Sequence, residues 1–185
     1  KGALENNYSL EFDGTDDYVL YGTGLGTALG DGYDGGITVS LWAKTDDNSV
    51  TQGLIDISDY AGGSDDSVLS IIINATNYRF RTTGTSAGEV TSISSCSSGA
   101  WTHIVGVYDG GNNLQHLYIN GTLSDSDAQS EALDLDGLKT VIGSYYNVSY
   151  KPMGGNIDEV AIWNKVLSAG DISALYSAKG TANLN

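Results

Sequence analysis

The 185-residue sequence predicts an all-β domain, a two-sheet antiparallel sandwich of jelly-roll type with one short C-terminal helix. Three observations carry that expectation. Apolar and polar residues alternate with period two along most of the chain. Turn signals separate the alternating runs: Asp13-Gly14, Gly35-Gly36, Gly62-Gly63, Asp109-Gly110-Gly111, Asn120-Gly121 and Gly154-Gly155. The composition, 25 glycines against one proline with 40% hydrophobic residues, gives many turns and enough apolar content for one core.

The strands follow in order. Leu10 and Phe12 share one face of the first, opposite Ser9, Glu11 and Asp13. Ile37, Val39, Leu41 and Ala43 share a face of the next, with Trp42 on the other side. Leu69, Ile71 and Ile73 alternate with Val68, Ser70 and Ile72, which predicts a strand buried on both faces. Tyr78 and Phe80 oppose Arg79 and Arg81, a half-exposed pattern. Further strands are expected at Trp101–Tyr108, Leu114–Asn120, Leu138–Gly143 and Ile157–Asn164. Asn120-Gly121 is the strongest hairpin signal, because both residues tolerate the positive φ of a type I′ turn.

One helix is expected after Ser168, where Ser168 and Asp171 have capping-box spacing and Leu167 and Ile172 can staple the first turn. Ile172, Leu175 and Tyr176 then point to the sandwich at helical spacing, and Gly180 is a natural stop. The reading is a single domain over residues 1–185, with 179–185 a linker or tail.

A net charge of −15, with only eight Lys and Arg spread along the chain, excludes nucleic acid as a partner. No apolar run approaches the roughly 20 residues of a membrane span, so no membrane insertion is expected. Cys96, the only cysteine, has no internal disulfide partner. Lys1-Gly2-Ala3 starts no signal peptide, so the segment reads as a piece of a longer protein.

Several blocks resemble one family. Ser9–Val19 resembles the opening strand pair of laminin-G-like jelly rolls in the concanavalin A-like lectin and glucanase superfamily, and Ile37–Ala43 their third strand. Trp101–Gly110 with Leu117–Gly121 is similar to their central hairpin; Gly155–Trp163 with Leu167–Ile172 is similar to their closing strand and helix. The blocks run in order over nearly the whole chain. The resemblance implies a non-catalytic carbohydrate-binding or adhesion module of a larger extracellular, cell-surface or virion-surface protein. Its partners would be a glycan or cell-surface polysaccharide, or neighbouring domains. The alternative is a structural decoration of a phage virion or bacterial surface, with no small ligand.

Glucanases of this superfamily share a Glu-x-Asp-x-Glu or Glu-x-Asp-x-x-Glu strand, and a glycosidase needs two carboxylates flanking the bond. None of the five glutamates (Glu5, Glu11, Glu89, Glu131 and Glu159) belongs to such a motif, so no enzyme activity is expected. A structural Ca²⁺ is implied instead. Asp13, Asp16 and Asp17 cluster in one turn, and the resemblance brings Asp158 of the closing strand towards them. Turn chemistry, with carboxylates accepting backbone N–H groups, is the other explanation of that cluster. A second metal candidate is Asp59, Asp65 and Asp66, in a loop read as Asp56–Asp66. For ligand contact the candidates are Tyr145, Tyr146, Asn147 and Tyr150 in the loop before the closing strand, with Tyr60 in the acidic loop. Trp42, pointing away from the core face, is either a stacking platform or packed beneath a covering segment.

Overall fold

Two six-stranded antiparallel sheets face each other in the computed structural model, which describes residues 8–59, 67–83, 89–145 and 151–178. The strands are β1 (Leu10–Asp13), β2 (Val19–Leu20), β3 (Gly36–Thr45), β4 (Gln52–Ser58), β5 (Ser67–Asn74), β6 (Asn77–Thr83), β7 (Glu89–Ser95), β8 (Thr102–Asp109), β9 (Leu114–Ile119), β10 (Thr122–Ala128), β11 (Lys139–Ile142) and β12 (Gly154–Trp163). Among the described residues two α-helices accompany them, α1 (Gly24–Leu29) and α2 (Ala169–Ala178), with one 3-10 turn at Gly110–Asn112. Sheet A has the order β1-β12-β3-β8-β9-β10, and sheet B the order β2-β11-β4-β5-β6-β7. This is the jelly-roll sandwich that the alternation predicts.

The period-two pattern decides which side chains meet between the sheets. Ile37, Val39, Leu41 and Ala43 of β3 face Ile55 and Ile57 of β4, Leu69, Ile71 and Ile73 of β5, and Tyr78 and Phe80 of β6, all buried in one core cluster. Burying each Ile or Leu contributes about 1.5–3 kcal/mol, so this cluster holds the sheets together.

The two sides of the sandwich are finished differently. On one side β10 and β7 touch: the Ile93 N–H donates to Asp125 Oδ2 at 2.7 Å and Ser124 Oγ donates to Ser94 Oγ at 2.8 Å. On the other side lie the edge strands β1 and β2, and Tyr8, Leu10, Tyr18, Val19, Leu20 and Tyr21 are exposed there. Leu10 therefore does not share the burial of Phe12, although the two lie on one strand face by alternation.

α2 covers the outer face of sheet A. Its start is the expected capping box: the Ser168 N–H and Oγ both donate to Asp171 Oδ2, at 3.0 and 2.6 Å, and the Asp171 N–H donates to Ser168 Oγ at 3.2 Å. Leu167 and Ile172 then pack on Val105, Val107 and Tyr118, in a second apolar cluster outside the main core.

Candidate functional site

The alternation that sends Ile55, Ile57, Leu69, Ile71 and Phe80 inward sends Asp56, Ser70 and Arg81 to the outer face of sheet B. Register then lines them up. Val141 pairs with Asp56, Asp56 with Ser70, Ser70 with Arg81, and Arg81 with Thr91. With strands about 4.8 Å apart, Asp56, Ser70 and Arg81 span roughly 10 Å of one row.

This row is polar and enclosed. Asp56 and Ser70 are 0% exposed and Arg81 is 9% exposed. Ser67 Oγ donates to Asp56 Oδ1 at 2.5 Å. The Arg81 guanidinium carbon lies 5.5 Å from the centroid of the Tyr145 ring, a cation–π contact. Ser70 Oγ, in the middle of the row, and Ser58 Oγ at the end of β4 are buried without a hydrogen-bond partner. A buried hydroxyl left without a partner costs on the order of 1–3 kcal/mol, so Ser70 holds an unused donor and acceptor beside a cation.

What brings Tyr145 to Arg81 is a close crossing over Gly53. The Gly53 N–H donates to Lys151 O at 2.9 Å, and a Cβ on Gly53 would sit 2.2 Å from the Ser144 carbonyl carbon and oxygen. Only glycine lets the chain pass so near β4. Tyr145 is 3% exposed, so the open surface ring expected from the sequence is instead a buried ring over the sheet. Tyr146, Asn147, Tyr150 and Tyr60 lie outside the described residues, as do Asp65 and Asp66.

Three further expectations are corrected. Asp56 does not open a loop: β4 continues through it to Ser58, because Ile55 and Ile57 on either side both reach the core. Trp42 is not a platform open to ligand. It is 4% exposed on the outer face of sheet A, stacked with Tyr176 of α2 (centroids 5.7 Å apart) and against His103 (5.0 Å). The same cover encloses a pair that the sequence did not signal, Ser40 Oγ and His103 Nε2 at 2.8 Å, which ties β3 to β8.

The third correction concerns Asp158. Asp13 pairs with Gly154, whereas Asp158 lies four residues further along β12, beyond the Leu10–Ile157 pair and opposite Trp42. At 3.3 Å per residue it is about 13 Å from the Asp13 end of β1. Its Oδ1 accepts the Glu159 N–H at 2.8 Å. Asp13, Asp16 and Asp17 do come together, each exposed, with one carboxylate oxygen apiece within 4.8 Å of the others. Two of these carboxylates serve the turn: the Asp13 N–H donates to Asp17 Oδ2 at 3.0 Å and the Thr15 N–H to Asp13 Oδ1 at 2.7 Å. A set of three hard carboxylates also fits the donor chemistry of calcium. Asp59 is exposed at the end of β4.

Two other groups are perturbed. A hydrogen bond that the protonated Asp134 carboxyl donates to Asp31, then slight desolvation and the charges of Asp31 and Asp136, hold the Asp134 carboxyl above its ordinary range. Burial pushes the Cys96 thiol up, which disfavours a reactive thiolate.

A family model described as the concanavalin A-like lectin/glucanases superfamily (Laminin_G_3) matches residues 13–173. No curated protein matches the chain in sequence. Among solved structures, the chain is similar to the botulinum neurotoxin serotype D ligand-binding domain in complex with N-acetylneuraminic acid, at 16% identity and a TM-score of 0.75, covering 97% of this chain and 44% of that one. It is similar to the Ruminococcus gnavus IT-sialidase CBM40 bound to α2,3-sialyllactose, at 17% identity and a TM-score of 0.71, covering 91% of this chain and 98% of that one. The botulinum neurotoxin serotype G binding domain gives 14% identity and a TM-score of 0.66, with 95% and 48% coverage. The chain thus spans less than half the length of the toxin chains and nearly all of the CBM40. At these identities the likeness is one of fold.

Proposed function

The chain belongs to the concanavalin A-like lectin/glucanases superfamily, and on that premise we propose that it is a non-catalytic carbohydrate-binding or adhesion module. The observation that carries this reading is the buried polar row Asp56–Ser70–Arg81 under Tyr145, on a sheet face where a solvated or purely apolar surface would satisfy folding. Asp56, Ser70 and Arg81 put carboxylate, hydroxyl and guanidinium groups, of the kind that pair with sugar hydroxyls, on this sheet face, while Tyr145, itself buried, braces Arg81 rather than offering an open stacking face. The solved structures of similar fold that hold N-acetylneuraminic acid and α2,3-sialyllactose support a glycan as the partner. Among the described strand residues Asp56 is the only acid in the row, whereas glycoside hydrolysis calls for two carboxyl groups across the bond.

The wider setting is part of the proposal: a module of a larger extracellular or surface protein, with a calcium ion held by Asp13, Asp16 and Asp17 stiffening the β1–β2 turn. A second reading, a structural module in a virion or bacterial surface layer, is favoured by the exposed apolar edge from Tyr8 to Tyr21.

A glycan-array screen of the purified domain, in calcium and in EDTA, tests the proposal, with Arg81→Gln as the control. Hits that disappear in Arg81→Gln support the module and its site. A blank array under both conditions, from a folded protein, favours the structural reading.

A further inference from the structure

We propose that the side of the sandwich formed by β1 and β2 is a docking edge for another polypeptide, which adds an extended segment of alternating basic and apolar residues along β1. The inference concerns this edge and not the outer face of sheet B, so it holds for a glycan-binding module and for a structural one alike.

The two sides of the sandwich are closed differently. Among the described residues, hydrogen bonds join β7 to β10, whereas β1 pairs only with β12 and β2 only with β11. Backbone groups of successive residues point to opposite sides of a strand. The Gly14 N–H donates to Met153 O at 2.9 Å, on the β12 side. The Asp13 N–H points the other way, where Asp17 Oδ2 accepts it at 3.0 Å. By the same alternation Glu11 turns its N–H and C=O outward, the donor and acceptor that a further antiparallel strand uses.

The side chains are a second, independent observation. From Leu10 to Tyr21 every residue except Phe12 is exposed. Leu10, Tyr18, Val19, Leu20 and Tyr21 are each at least 40% exposed. Beyond this stretch, exposed large apolar side chains of the described residues occur singly along the sequence. Such a concentration marks a contact surface. An edge that stays unpaired usually carries Lys, Pro or a bulge, and β1 and β2 carry none of these.

Charge selects the occupant. Glu11, Asp13, Asp16 and Asp17 are all exposed in this segment, and no Lys or Arg lies between Gly2 and Ala43. Of the cations nearest in register, Lys44 is two strands from Glu11, across Asn156, and Lys139 precedes Thr140, which bonds Tyr21 at the far end of β2. They flank the patch and do not interrupt it. A second copy docked about a two-fold axis would set these acids against themselves, on chains that each carry a net charge of −15. A basic strand meets them favourably. Glu11 and Asp13 share one face of β1 and Leu10 and Phe12 the other. Lys or Arg at alternate positions therefore lies beside the acids, while the apolar residues between them turn toward Leu10.

The test uses the intact chain in EDTA, so that no divalent cation competes for the acids. The probes are a labelled eight-residue peptide alternating Lys and Val, the same peptide N-methylated at its lysines, and a peptide alternating Glu and Val. The methylated form keeps charge and pattern but cannot donate to the edge. The Lys-Val peptide is expected to bind about tenfold or more tightly than its methylated form, and the Glu-Val peptide not measurably. Amide exchange at Glu11, fast in the free chain, should slow by about tenfold or more in the complex. Glu11→Lys is expected to weaken the Lys-Val peptide by about tenfold and Leu10→Ser by about threefold. Both positions are exposed, so neither change should lower the melting temperature by more than about 2 °C. Equal affinity for the two basic peptides overturns strand addition and leaves only diffuse charge attraction. A Glu11 amide already protected in the free chain overturns it as well, because the edge is then covered. Concentration-dependent dimers in sedimentation would make the occupant a second copy, which also overturns the proposal. The glycan array reads a different surface, so either reading can fail alone.

Discussion

The indole of Trp42 and the phenol ring of Tyr176 lie face to face, 5.7 Å between centroids and 20° from parallel. One belongs to the outer face of sheet A and the other to α2, so this stack clamps the helix to the sandwich. It also settles a choice the sequence leaves open, because a ring already covered by protein does not serve as a sugar platform. Tyr176→Ala is expected to red-shift tryptophan emission as Trp42 meets water, and to cost about 1–2 kcal/mol in denaturant unfolding. Glycan affinity, measured on the folded variant, should not change.

Gly53 is the position where fold and site are most tightly linked. A Cβ there would lie 2.2 Å from Ser144 backbone atoms and 2.5 Å from the Tyr145 nitrogen, and backbone cannot swing aside as a side-chain tip can. Gly53→Ala is expected to lift the Tyr145 segment off β4. Stability falls by about 1–3 kcal/mol, the usual cost of overpacking. The Tyr145 ring loses its contact with Arg81, so binding should fall more than stability predicts. Calorimetry paired with a glycan titration checks both.

These two positions also mark how far the sequence could be read. The inward set Ile37, Val39, Leu41, Leu69, Ile71 and Phe80 was legible because alternation specifies a face directly. The capping box at Ser168 and Asp171 was legible because it is local. Alternation also places Ser70 and Arg81 opposite the core, yet it says nothing of which strands are neighbours, so the row with Asp56 exists only once register is known. β7 and β10 escaped for a different reason: their Ser, Thr and Asp content lacks an apolar period. The position of Asp158, about 13 Å from Asp13, turns on a register offset of four residues, which composition does not encode.

The Asp31–Asp134 contact gives a pH dependence of definite sign. The folded state raises the Asp134 carboxyl, chiefly through the hydrogen bond to Asp31, so folding favours its protonated form. Stability from this group is present below the unfolded value of about 3.9 and is lost as pH rises through the raised folded value. At pH 7 the two carboxylates repel. Asp134→Asn is therefore expected to raise the melting temperature at pH 7 by about 1–2 °C, a small effect because the pair is exposed. Melting curves at pH 3 and pH 7 should show the gain only at the higher pH. A gain of equal size at both would mean that the charge is not its cause.

The turn holding Asp13, Asp16 and Asp17 offers two explanations of one cluster, and a single isosteric change separates them. Asp17 Oδ2 accepts the Asp13 N–H, a bond that an asparagine oxygen can also accept. If the carboxylates serve the turn alone, Asp17→Asn leaves stability nearly unchanged and calcium has no effect on either protein. If they also bind calcium, as proposed, the wild-type chain melts higher in calcium than in EDTA. For an exposed three-carboxylate site with an affinity of about 0.1–1 mM, a tenfold excess of calcium adds roughly 1.4 kcal/mol, or about 3–5 °C. Asp17→Asn then loses most of that increment while melting like wild type in EDTA. Magnesium should reproduce little of the effect, since it demands a tighter octahedral shell than a turn of exposed side chains supplies. Superimposable curves for wild type in calcium and in EDTA would leave the cluster as turn chemistry alone.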